Sequence, residues 1–213
     1  MIHLKKTDWV ILIGLLLLSF IPILGGIFRL MELGSGSESE FLPENPRIQS
    51  VPTPVVFHLL SVVPYCILGG FQFLPSFRRK YPKWHRYAGW LLVSAGIISA
   101  ISGLWMTHYY SFPDNMQGNL LYVTRFLVGI AMVVFIILGL SSVLKKRIKQ
   151  HQAWMIRAYA LGQGAGTHVL ITIPWLLTIG EPIGLTRDIL MSLAWVINIF
   201  VGEWAIKKIC RDS

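Results

Sequence analysis

The stretch WVILIGLLLLSFIPILGGIF, from Trp9 to Phe28, contains no Asp, Glu, Lys, Arg or His. Its twenty residues, at ~1.5 Å each in an α-helix, match a bilayer hydrocarbon core of ~30 Å. A secretory signal core is shorter, about 7–15 residues, and Pro22 with Gly25 and Gly26 makes no small-x-small cleavage site. The stretch therefore reads as a retained transmembrane helix.

Five further apolar runs follow it. The predicted helices cover about 8–29, 54–76, 86–109, 118–144, 152–178 and 189–206, within a single integral membrane domain spanning 1–213. Residues 30–50 carry Glu32, Glu38, Glu40, Glu44 and a Gly-Ser-Gly-Ser run, the composition of a flexible acidic linker. The chain is 54% hydrophobic and only 14% charged, against about a quarter charged in a soluble domain. Much of the surface must then face something other than water.

The net charge of +9 does not indicate nucleic-acid binding, because of how it is distributed. Fourteen basic residues fall in four clusters: Lys5–Lys6; Arg78, Arg79, Lys80, Lys83, Arg86; Lys145, Lys146, Arg147, Lys149; and Lys207, Lys208, Arg211. The intervening loops hold only Arg29, Arg47 and Arg187. With six helices all four clusters fall on one side, the positive-inside pattern, which puts both termini in the cytoplasm. The expected class is an all-α polytopic bundle in the plasma membrane. Cys66 and Cys210 offer no disulfide framework.

Ionisable groups at membrane depth are costly and need partners. His58, Arg125 and His168 fall within about one or two helical turns of one another in depth, in the outer half. No Asp or Glu lies at comparable depth in the predicted segments, so the partner of Arg125 is a backbone carbonyl, water or an anionic ligand group. On the second helix His58, Tyr65, Gly69 and Gln72 share a stripe; on the fifth, Arg157, Leu161, Gly164 and His168 do. Two interior histidines on different helices suit a six-coordinate haem iron, with Arg125 against a propionate. The plain alternative is a hydrogen bond from each histidine to a neighbouring helix. A stripe of small residues on the third helix, Gly89, Gly96, Ala100 and Gly103, reads as a packing face.

A second constellation lies on the inner side. Trp84, His85 and Arg86 precede the third helix; His151, Trp154, Met155 and Arg157 open the fifth; Asn198 and Glu203 lie on the sixth. Glu203 is placed to pair with Arg157 or to accept a histidine hydrogen bond. Interfacial anchoring accounts for Trp84, Arg86 and Trp154 without further function.

These inner residues carry a resemblance. The runs Leu68-Gly69-Gly70-Phe71-Gln72, Arg78-Arg79, His85-Arg86-Tyr87-Ala88-Gly89, Ser102-Gly103-Leu104 and His151-Gln152-Ala153-Trp154-Met155-Ile156-Arg157-Ala158-Tyr159-Ala160-Leu161 resemble a bacterial family of predicted membrane proteins, domain of unknown function 2306. Trp195, Asn198 and Glu203 fit its last helix. The resemblance covers roughly the second to sixth helices. It marks His58, Gln72, His85, Arg86, His151, Arg157 and Glu203 as motif positions and implies no reaction. Arg125 and His168 lie outside the motif, which favours His85 and His151 over His168.

The expectation is a membrane protein that binds haem b and passes electrons to or from quinone or a membrane redox partner. The ligand pairs would be His58 with His168 and His85 with His151; Arg125 and Arg157 would offset propionate or semiquinone charge, with Gln72, Arg86, Asn198 and Glu203 as structural polar groups. The same residues also suit the pocket of a transporter or binding protein, or a non-enzymatic assembly factor. A nucleotide loop, His-Glu-x-x-His and Gly-x-Ser-x-Gly are all absent from the sequence, which removes the familiar ATPase and hydrolase classes.

Overall fold

The computed structural model describes residues 6–36, 46–113 and 115–211, and among them every regular element is an α-helix. Helices α3 (Pro52–Gln72), α4 (Pro75–Lys80) and α5 (Pro82–Tyr109) each start on proline, where the missing N–H costs nothing. Pro75 also disfavours helical backbone at Leu74, so α3 stops at Gln72 where the sequence suggested 76.

The first helix, α1 (Lys6–Ser35), outruns its predicted end at 29. Arg29 and Glu32, one turn apart, pair at 2.5 Å and hold the extra turn. Glu32 is therefore a buried helix residue and not part of a linker. The rest of the expected acidic linker is partly replaced by the short α2 (Pro46–Ser50); Glu38, Glu40 and Glu44 lie outside the described residues.

After α6 (Asn119–Leu144), the expected continuous helix 152–178 is two helices, α7 (Ile148–Gly162) and α8 (Gly164–Thr178), broken at Gln163. The local sequence Gly162-Gln163-Gly164-Ala165-Gly166 explains the break: three glycines in five residues weaken the helix. Tertiary contacts hold the broken form. A Cβ on Gly164 would overlap the Trp195 indole, and one on Gly166 would overlap the carbonyl of Leu18 in α1. Asn198 Nδ2 donates to the Ala160 carbonyl at 3.0 Å, satisfying a backbone acceptor beside the break, while Thr167 Oγ1 donates to Asn198 Oδ1 at 2.6 Å. The last helix, α9 (Gly184–Arg211), starts five residues before its predicted start at 189, on a Gly184 with φ +54°.

Helix α5 packs between α3 and α6, α7 lies against α6 and α9, and α1 closes on α3 and α8. Tyr65, Met132, Ile136, Ala158 and Tyr159 form the centre of the core. Tyr159 reaches across from α7, its ring 5.7 Å from that of Tyr65 and its hydroxyl donating to the Cys66 carbonyl at 2.7 Å. Gly69 and Gly96 allow these rings in: a Cβ on either would overlap Tyr159 or Tyr65.

Outside this core the bundle is apolar. Val10, Phe200 and Leu177 are 72%, 72% and 80% exposed, which a water-facing surface would not sustain over so many large side chains. Among the described residues five helices are long and apolar enough to cross a membrane: α1, α3, α5, α6 and α9. The halves α7 and α8 have 15 residues each, short of the ~20 a single crossing needs.

Candidate functional site

The α4 region, the start of α5 and the α6–α7 turn gather at one end of the bundle. Phe77 stacks edge-on against Trp84 at 4.9 Å, fixing α4 on α5. Beside this corner a cavity of about 1190 Å³ runs into the bundle between α1, α3, α5, α7 and α9. Its walls are largely apolar, with Val10, Leu15, Trp90, Leu92, Met155 and Trp204 among them. Its polar groups include Gln72, Arg78, His85, Arg86, His151, Gln152, Tyr159, Gln163 and Asn198, and among the described residues no Asp or Glu lines it.

Three of these groups carry a buried polar atom with no close hydrogen bond from the described residues: Nε2 of Gln72, Nδ1 of His85 and Nε2 of Gln163, the last beside the Tyr159 hydroxyl. Each such group costs ~1–3 kcal/mol when left without a partner, and native structures keep few of them. All three residues line the one cavity, with these atoms buried in its wall. Gln163 is held in place at its other end, where Oε1 accepts from Ser19 Oγ of α1 at 2.8 Å. His151 is oriented by a 2.9 Å hydrogen bond between Nδ1 and the Gly139 carbonyl. Burial, with Arg79 alongside, holds the Arg78 guanidinium below its ordinary pKa.

The predicted inner residues are thus largely brought together. Gln72, His85, Arg86, His151 and Asn198 share the cavity; Arg157 and Glu203 stand apart from its lining and pair with each other, Arg157 Nε to Glu203 Oε1 at 2.5 Å and Nη2 to Oε2 at 3.0 Å. The Arg157 guanidinium also lies over the Trp154 ring at 4.7 Å, and Trp154 stacks on Phe135.

The outer residues are arranged differently. His58 turns into α5, its Nδ1 2.9 Å from the Ser99 carbonyl and 3.2 Å from Ser102 Oγ, with Gly103 alongside the ring. His168 sits on α8, which packs on α1 and α9. The two histidines line no part of this cavity. Arg125 donates to Gln117 Oε1 at 2.5 Å and covers the Phe112 ring at 5.2 Å. An acid does stand near it: because α9 starts early, Asp188 lies on the helix just past its first turn, 1% exposed and within electrostatic reach of Arg125. The shared stripe expected for Arg157, Leu161, Gly164 and His168 is interrupted, because the break at Gln163 separates the two halves.

Sequence reasoning passed over Gln163, Arg78 and Gln152 as site residues. The available signal for Gln163 was an amide in the middle of an apolar run, flanked by helix-weakening glycines.

No curated protein and no solved structure matches the chain. Residues 55–206, which hold α3 to α8 and most of α9, match the family described as Predicted membrane protein (DUF2306). The match leaves α1 outside and takes in all the polar residues of the cavity, and the chain belongs to this family of predicted membrane proteins.

Proposed function

We propose that the chain is a membrane protein that binds an amphipathic small molecule of the quinone class in this cavity. The carrying observation is one largely apolar space lined by the amides of Gln72 and Gln163, the imidazoles of His85 and His151 and the guanidiniums of Arg78 and Arg86. Amide donors and two arginines without a carboxylate among them suit a ligand whose head accepts hydrogen bonds. The apolar walls suit a hydrocarbon body. Quinone carbonyls and tail meet both requirements. The topology we infer is six crossings with both termini in the cytoplasm of a plasma-membrane protein, α7 and α8 crossing as one pair. It rests on the one-sided basic clusters and on Gly184 N donating to the Asn115 carbonyl at 2.9 Å, at the end away from the cavity.

Trp90 and Trp204 line the cavity, so titration of the purified protein with decyl-ubiquinone reads binding as tryptophan quenching. Saturable quenching that weakens about tenfold in Gln72→Leu, the loss of one hydrogen bond to a buried donor, supports the reading. Non-saturable quenching identical in wild type and variant overturns it.

A second reading is favoured by His85 and His151 together. Both line the cavity, and His151 Nδ1 bonds a backbone carbonyl, the outer partner that orients a metal-ligating imidazole. These two residues would hold a haem b iron, with Arg78 and Arg86 at the propionates; the group would supply one-electron chemistry. Among the described residues no cluster of three or more His, Cys, Asp or Glu with metal-holding geometry occurs, so these residues offer an iron at most two such ligands. An absorption spectrum of the reduced protein separates the readings.

A further inference from the structure

At the end of the bundle opposite the cavity, Arg125 of α6 and Arg187 of α9 lie within electrostatic reach of each other, and His168 of α8 is within reach of both. Among the described residues their charge is only partly offset. The acid in the group is Asp188, a single carboxylate that also caps α6: Oδ1 accepts from the backbone N–H of Gly118 and Oδ2 from that of Leu121, each at 3.1 Å. Arg125 meets only neutral partners, the Gln117 amide oxygen, the Met191 sulfur at 3.7 Å and the Phe112 ring. Arg187 makes no hydrogen bond or ion pair among the described residues, and its Nε is buried. Nε2 of His168 and Oγ1 of Thr172, one turn further along α8, are buried and unpartnered as well.

Among the described residues, two guanidiniums facing one carboxylate leave a net positive charge beside buried, unpartnered polar atoms. We propose that Arg125, Arg187 and His168 form a binding site for a phosphate-type oxyanion, from a lipid headgroup or as free phosphate. Guanidinium forks match such oxygens in geometry and charge. The site is independent of the cavity and draws on different residues.

The test uses the purified full chain in detergent, at constant ionic strength. Thermal unfolding is followed with inorganic phosphate against chloride, and lipid retention is followed by native mass spectrometry with phosphatidylglycerol against a galactolipid lacking phosphate. Stabilisation by inorganic phosphate identifies a free-anion site. Retention of phosphatidylglycerol alone identifies a headgroup site. In either case Arg187→Gln should weaken the effect about tenfold, as loss of a charge-assisted contact implies, and Lys149→Gln, which removes the same charge from an exposed position, should not. Arg187 and His168 are half-buried, so Arg187→Gln and His168→Gln keep the test open should Arg125→Gln fail to fold. No response to either probe, or a response unchanged in both variants, overturns the proposal.

Discussion

Arg157 on α7 grips Glu203 on α9 with two hydrogen bonds, from Nε and Nη2 to the two carboxylate oxygens. The fork-on-fork geometry fixes the relative register of the two helices flanking the cavity. The carboxylate is 36% exposed and the guanidinium 23%, so the pair sits between a surface bridge and a buried one. A double-mutant cycle of Arg157→Gln and Glu203→Gln should give a coupling of about 1–2 kcal/mol. Coupling near zero in thermal or denaturant unfolding would remove the pair from the account.

The break at Gln163 should be as sensitive to added volume as the core. Gly166→Ala drives a methyl group into the α1 backbone at Leu18, and Gly164→Ala drives one into Trp195. Each should destabilise by about 1–3 kcal/mol. Gly25→Ala, with open space around its Cα, should change stability little. Asn198→Leu removes the donor to the Ala160 carbonyl and the acceptor for Thr167; it should cost about 2 kcal/mol or more. Unfolding midpoints for the four variants check this ranking.

How much of this was legible in the sequence differs by element. The long helices could be read from uninterrupted apolar runs such as Trp9 to Phe28, because spanning length is a local property. The pairing of Arg157 with Glu203 was legible because each needs a partner near lipid. The division at Gln163 was legible only in part: three nearby glycines weaken the helix locally, but the contacts that hold the break come from Trp195 and Leu18 on distant helices. His58 and His168 looked alike by depth alone. The ring of His58 is committed to Ser99 and Ser102, a contact between helices that periodicity cannot reveal.

Reporter fusions test the proposed crossings. Fusions at Lys80 and Arg147 should report cytoplasm, and fusions near Asn115 and Glu181 the outside. The motivation is the one-sided distribution of Lys and Arg. A cytoplasmic signal at Glu181 would mean that α7 and α8 re-enter on the same side, leaving five crossings.

The haem reading makes a spectral prediction. In protein produced with ample haem, His85→Ala and His151→Ala should each remove the low-spin spectrum, since a six-coordinate iron needs both nitrogens. His108→Ala should not, because that ring is engaged with the Tyr122 hydroxyl at 2.9 Å. A colourless wild type excludes haem and leaves the quinone reading standing.

The most direct test of the central claim is the paired effect of Gln72→Met on stability and on binding. Nε2 of Gln72 is buried in the cavity wall and unpartnered by protein. If it is kept for a ligand, it is a cost to the ligand-free fold. Met keeps the side-chain length and removes the unsatisfied group, so the free protein should gain about 1 kcal/mol or more in unfolding. The same variant should bind decyl-ubiquinone about tenfold more weakly. Greater stability with weaker binding is the predicted result; lower stability with unchanged binding would show that Gln72 serves the fold and would contradict the account.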